Sequence, residues 1–295
     1  MAEYILSATS TADLTKEQFE ERDIRVVFFH YTIDGEEKID DLGQSISFHD
    51  FYQMMEQGAM TKTSQLSIGE YMDYFRGMLT EGKDILHVTL SSGLSGDYNS
   101  ARSASEMLKE EFPERKIYVV DSLGASTGYG LLMDKLAEKR KEGLSLEELR
   151  DYAEEHKLEL NHWFFSTDLK YYVRGGRISK ASGFFGTMLR ICPLLNMNDQ
   201  GKLIPREKIR TVKKVEAALV EKMVENAIDG LDYSDKVFIS MSDCPDYANA
   251  VKEMVEAKFP KLNGKVVINS IGTTIGSHTG PGTVALFFWG KKRGA

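Results

Sequence analysis

The chain has 295 residues, 42% of them hydrophobic and 28% charged, which suits two folded domains and excludes a disordered, collagenous or coiled-coil chain. A net charge of −8 repels polyanions, so nucleic acid is not an expected partner. No run of apolar residues is long enough to span a membrane, Met1-Ala2-Glu3 lacks the positive charge of a signal peptide, and Cys192 and Cys244 stand far apart; a reduced, cytoplasmic protein with no disulfide framework is expected.

Tyr4 to Ala8 reads as a buried strand, followed by a helix capped by Asp13 or Thr15 and running to Glu21. Ile24 to Tyr31 reads as a second strand, with Asp34-Gly35 as a hairpin turn. A helix over Phe48 to Gln57, a polar loop over 61–67 and a helix over Ile68 to Glu81 come next. The strand Asp84 to Leu90 runs into Ser91-Ser92-Gly93-Leu94-Ser95-Gly96, which opens a helix from Asp97 to Glu111. A strand over Ile117 to Val120, a helix over Gly128 to Lys141 and another over Ser145 to Lys157 complete an alternation that predicts a mostly parallel sheet with helices on its faces. The boundary between two α/β domains is expected at 158/159, giving domains of 1–158 and 159–295.

In the second half, Trp163 to Ser166 reads as a strand and Tyr171 to Arg177 as an irregular basic stretch. Ile191 to Met197 and Lys202 to Arg210 read as strands around an Asp199-Gln200-Gly201 turn. Helices over Val212 to Ile228 and Tyr247 to Lys258 alternate with strands over Lys236 to Met241 and Lys265 to Ser270. A loop over Gly276 to Gly282 and a strand over Thr283 to Trp289 close the chain.

Chemistry concentrates in a few places. The Ser91–Gly96 turn ends a strand and opens a helix, so it offers free N–H groups, hydroxyls and the positive end of a helix dipole to a carboxylate or phosphate. Ser95 serves equally as an ordinary helix cap. Thr63-Ser64-Gln65 and Asp121-Ser122 are further polar turns on the rim where open parallel sheets bind ligands. His278 lies among glycines, suited to donating to a carboxylate or to acting as a general base. The six histidines form no metal-binding pattern, so neither a metal nor a cofactor is expected. A Ser/His acyl hydrolase would need a nucleophile elbow, but Gly93 precedes Ser95 by two while Asp97 follows it by two. Residues 170–214 carry a net charge of +9 against −17 for the rest, a solvated face or a surface that steers an acidic partner.

Taken in order, Ser10-Thr11-Ala12-Asp13-Leu14, Thr63-Ser64-Gln65, the SSGLSGDYNSA run from Ser91, VVDS ending at Ser122, RGGRIS from Arg174, CPLL from Cys192, the Gly201–Arg210 segment and HTGPG from His278 resemble the DegV family of bacterial fatty-acid-binding proteins. The resemblance spans almost the whole chain. It implies an N-terminal Rossmann-like parallel-sheet domain and a C-terminal α/β domain, with a fatty acid buried near their interface. It implies a carrier and not an enzyme, which holds a long-chain fatty acid non-covalently and presents it to a fatty acid kinase subunit of the DAK type for acyl-phosphate formation. The family's carboxylate-binding positions match Thr63, Ser95 and His278, with Ser92 and Ser64 as second contacts.

On that footing, Phe184, Phe185, Met188, Leu189, Ile191 and Phe287 are expected to line the tunnel, and Arg174, Arg177, Arg206 and Arg210 to dock the kinase. The chain departs from the family pattern at Thr9 (usually Asp), Leu66 (usually Pro), Asp97 (usually Thr) and Cys192 (usually Lys). The alternatives are a hydrolase using Ser95 and His278, or a sensor or transport module for another amphiphile.

Overall fold

A computed structural model describes residues 4–179, 191–262 and 264–295. Strands β1 (Tyr4–Thr9), β2 (Ile24–Val27), β6 (Asp84–Thr89) and β7 (Ile117–Asp121) form a parallel sheet in the order β2-β1-β6-β7. All six residues of β1 are buried, as befits a parallel strand covered on both faces. On one face, α3 (Ile68–Thr80) and α4 (Asp97–Glu111) bring Phe75, Leu79 and Leu108 against Ile5 and Ile85. On the other, α5 (Ser126–Lys141) and α6 (Leu146–His156) bring Tyr129, Leu132 and Leu149 against Leu6 and Leu86. Capping boxes start α1 (Lys16–Glu21) at Thr15, α3 at Ser67 and α6 at Ser145, so Thr15, not Asp13, is the first helix's cap.

The sequence segment read as one strand from Ile24 to Tyr31 divides. After β2 the chain turns into β3 (His30–Ile33), which belongs to a separate antiparallel sheet, β4-β3-β5, with β4 (Glu36–Ile39) and β5 (Thr61–Ser64). The hairpin at Asp34-Gly35 is as read, with both residues at positive φ, 50° and 88°. The "polar loop" at 61–64 is strand β5, with Thr63 opposite Tyr31. Threonine suits strands, but Thr-Lys-Thr-Ser carries no apolar alternation to reveal one. Helix α2 (Phe48–Glu56) seats Phe51, Tyr52 and Met55 in a cluster with Tyr31 and Ile33.

The second half builds a mixed sheet ordered β10-β9-β8-β13-β11-β12 from β8 (Leu160–Ser166), β9 (Ile191–Met197), β10 (Leu203–Arg210), β11 (Val237–Met241), β12 (Val266–Ser270) and β13 (Thr283–Trp289). Only β11 and β12 are parallel; the alternation-based expectation of a mostly parallel sheet holds for the first half alone. Helices α8 (Val212–Asn226) and α9 (Pro245–Lys258) bury Val215, Leu219, Val251 and Val255 in the core. Two segments read as loops are helical: α7 (Lys170–Arg174) and α10 (Thr273–Thr279), which stops at Gly280 with φ 66°.

Helix α5 packs against the first sheet's core on one side and against β8, β11 and β13 on the other. Its residues from Ser126 to Asp134 are all buried, which a helix sandwiched between two layers requires. Glycine at 130 lets it approach the Ala12 carbonyl, where a Cβ would stand 2.6 Å away. Near the end of the chain, the buried Arg293 guanidinium donates to the carbonyls of Leu123 and Asn198, tying the tail to both halves.

Candidate functional site

A cavity of about 480 Å³ lies where strand β5 and the segments after β2, β6 and β7 meet α10 and one face of the six-stranded sheet. That size is within the roughly 300–1,000 Å³ usual for small-molecule sites. Its walls are largely apolar: Phe29, Leu90 and Leu94 from the first half, Phe164, Ala285, Phe287, Met197 and Leu203 from the sheet, and Ile275 from α10. Thr283, Ala285 and Phe287 line it at every second position, as one face of β13 must.

Polar groups gather on one part of the wall: Thr63, Ser64, Gln65, Ser95, Arg177 and His278. Strand β5 and the last turn of α10 bring Thr63 and His278 together across 215 residues, with Thr63 Oγ1 and His278 Nε2 2.7 Å apart. His278 Nδ1 is buried without a partner. It lies against Gly175, where any Cβ would collide with it, so this position requires glycine. Burial, then the nearby Arg177 and Arg174 charges, push the His278 pKa down to about 3. The ring is therefore neutral across the physiological range.

The Ser91–Gly96 turn is held by Ser91, which accepts at its carbonyl from the N–H groups of Leu94 and Ser95 and donates its hydroxyl to the Gly201 carbonyl. Gly93 packs against the β9–β10 turn, where a Cβ would stand 2.5 Å from the Gln200 carbonyl oxygen. The N-cap of α4 is Gly96, with no side-chain cap. Ser95 Oγ instead reaches Gln65 Oε1 at 3.4 Å and accepts from the Asp97 N–H at 3.3 Å. Ser64 lies on the cavity wall, whereas the exposed Ser92 does not; its N–H donates to Asp121 Oδ1.

The four arginines separate. Arg177 lines the cavity and donates to the carbonyls of Gly175 (2.6 Å) and Leu94 (3.0 Å), bridging the His278 and Ser95 sides. Burial lowers its pKa. Arg174 is exposed, its guanidinium 5.0 Å over the Tyr171 ring. Arg206 is exposed and bonded to Asn196 and Ala295, and Arg210 is exposed on the edge strand β10. Of the expected tunnel residues, Phe287 lines the cavity and Ile191 does not; Phe184, Phe185, Met188 and Leu189 lie outside the described residues. Sequence reading missed His162, Phe164 and Ile275 as lining residues, because only the pairing of β8 with β13 and the helical course of α10 turn them inward.

Immediately behind Ser95, Asp97 is fully buried and accepts from Tyr71 Oη at both carboxylate oxygens, 2.9 and 3.0 Å. Burial pushes its pKa up to about 7. An acid with a folded pKa above its unfolded value destabilises the fold progressively as pH rises from about 4 to about 7. At about 1.4 kcal/mol per unit, the cost of ionising Asp97 at pH 8 is on the order of 2–4 kcal/mol. Asp97→Asn is therefore expected to gain stability over the parent at pH 8 relative to pH 5, by about that amount, in urea unfolding. An identical pH slope in both proteins would contradict the assignment.

Among the described residues no group of three or more His, Cys, Asp or Glu could hold a metal ion, and no helix is long and apolar enough to cross a membrane.

The sequence pattern of the family described as "uncharacterised protein, DegV family" matches residues 8–291. A DegV domain-containing protein of Clostridium perfringens is 35% identical over 99% of both chains, and one from Lactococcus lactis is 33% identical over 96% of both. Among solved structures, a Thermotoga maritima protein described as revealing fatty acid binding function superposes with a TM-score of 0.84 at 27% identity, covering 99% of this chain and 100% of that one. DegV from Bacillus subtilis, described as a fatty acid binding protein, gives 0.82 at 27% identity with the same coverage.

Proposed function

This chain belongs to the DegV family, and from that membership we propose that it is a non-enzymatic carrier that holds one long-chain fatty acid in the cavity. The observation that carries the reading is a largely apolar cavity whose wall brings Thr63, Ser64, Ser95, His278 and Arg177 together through the Thr63–His278, Ser95–Gln65 and Arg177–Leu94 contacts. The carboxylate sits there. With Nε2 protonated, neutral His278 donates to Thr63 Oγ1, which leaves the Thr63 hydroxyl proton for the ligand. Ser95 adds a hydroxyl beside the uncapped start of α4, whose dipole favours a negative charge. Hydrogen bonds of this kind to an ionised acceptor are about twice as strong as neutral ones.

Arg177 belongs to this polar mouth, because its guanidinium is partly buried on the cavity wall. The exposed Arg174, Arg206 and Arg210 remain for docking a fatty acid kinase, to which the bound acid is presented for acyl-phosphate formation. The hydrolase reading is the weaker one. Ser95 pairs with Gln65 and not with His278, and His278 Nδ1, which a triad acid would orient, has no partner.

Organic extraction of the purified protein followed by mass spectrometry tests the carrier reading. One fatty acid per chain is the expected result; an empty protein that binds no added fatty acid, or a serine labelled by a fluorophosphonate, would overturn it. For the docking surface, Arg174→Glu is expected to retain lipid but to slow acyl-phosphate formation with a purified kinase at least fivefold. An unchanged rate would remove Arg174 from the docking surface.

A further inference from the structure

Asp97 is the first residue of α4 and backs the polar mouth directly. Its N–H donates to Ser95 Oγ at 3.3 Å, and Ser95 lines the cavity. Covalent geometry then keeps the Asp97 carboxylate carbon within about 7 Å of that hydroxyl. With a fatty acid held by Ser95, two carboxyl groups stand at the start of one helix and compete for its partial positive charge.

Asp97 is wholly shielded from solvent, and among the described residues no cation faces it. From α3, Tyr71 Oη donates to both of its oxygens. From β6, His87 Nε2 stands 3.3 Å from Tyr71 Oη; burial lowers that ring's pKa to about 3, so it carries no charge. His87 Nδ1 connects through Ser7 Oγ on β1 to the Tyr74 hydroxyl, and Tyr129 approaches from α5. Burial raises the pKa of both phenols, so they too are neutral. Arg177, on the mouth, is bonded to the carbonyls of Gly175 and Leu94. Like charges so placed repel far more strongly than they would in water. Burial already brings the ionisation of Asp97 close to neutral pH.

We propose that Asp97 makes the mouth a proton-coupled clamp: the cavity holds a fatty acid carboxylate tightly while Asp97 is protonated, and ionisation of Asp97 weakens the hold by repulsion. The coupling rests on the fatty-acid reading and adds regulation to it. Linkage is reciprocal, so the bound carboxylate strengthens the hold of Asp97 on its proton by the same factor. Affinity therefore falls as pH rises through neutrality, and binding on the alkaline side takes up protons.

The test is a titration of the parent and Asp97→Asn with stearate and with stearyl alcohol, below their micellar concentrations, from about pH 6 to about pH 8.5. The stearate affinity of the parent is expected to fall roughly 3- to 20-fold over that range, and that of Asp97→Asn to stay level. Stearyl alcohol, which brings no charge, should bind both proteins independently of pH. Calorimetry in two buffers of different ionisation enthalpy should show proton uptake with stearate in the parent alone. In the parent itself, the ¹³C carboxyl signal of Asp97 should titrate at higher pH with stearate bound than without, a readout that does not depend on the variant folding. An equal pH dependence in both proteins, a dependence shared by the alcohol, or an Asp97 midpoint that stearate leaves unmoved would overturn the coupling. If the parent binds stearate at no pH, the fatty-acid reading falls, and the coupling with it.

Discussion

Shortening the ligand from an eighteen-carbon to a ten-carbon saturated acid is expected to weaken binding by roughly 10⁴-fold. Away from its mouth the cavity is lined mainly by apolar side chains such as Phe29, Leu90, Phe164, Met197, Leu203 and Phe287, so affinity comes chiefly from removing methylenes from water. At about 0.8 kcal/mol each, eight methylenes contribute about 6 kcal/mol. The cost of immobilising the ligand is largely shared by both acids and does not erase the difference. Isothermal titration at monomeric ligand concentrations measures it directly. A dependence on length weaker than about tenfold would mean that the chain stays in solvent and that only the headgroup is held.

Removing the headgroup contacts has the second largest effect. Thr63→Val keeps the shape of the side chain on β5 but removes the hydroxyl that His278 positions. A hydrogen bond to a charged group contributes about 1.5–3 kcal/mol, so stearate binding should weaken by roughly 10- to 150-fold while the thermal transition moves little. His278→Phe should weaken it similarly by removing the partner that orients Thr63. The corresponding alcohol, stearyl alcohol, should lose most of this sensitivity, since it presents no carboxylate. Equal losses for acid and alcohol would identify the variants as general packing defects.

Much of the frame is legible in the sequence because burial on both faces writes itself as a short, mostly apolar run, as in Tyr4–Ala8, broken by Ser7, and Ile85–Val88, broken by His87. The turn at Ser91–Gly96 is legible because strand, glycine and hydroxyl residues occur in that order at one rim of the sheet. Strand β5 is not, because Thr63 and its neighbours are polar and owe their conformation to pairing with β3. Helix α10 is hidden by Gly276 within it and by Gly272 and Gly280 at its ends. Gly276 sits there not for flexibility but because a Cβ would strike the Tyr52 ring, a contact with α2 that no local pattern reveals. Arg177 reads as part of a charged surface, yet its guanidinium is partly buried by the carbonyls of Gly175 and of Leu94, the latter 83 residues away. His162 carries no local signal at all; its inward position follows from its place opposite Phe287. What escapes the sequence is what long-range packing decides.

A crystal structure of the protein grown with a fatty acid brominated on its tail is the most direct measurement. An anomalous bromine peak is expected among the apolar side chains of the cavity, with the carboxylate within hydrogen-bond distance of Thr63 Oγ1 and Ser95 Oγ. A carboxylate bound elsewhere, or a cavity closed by side chains with the acid absent, would contradict it.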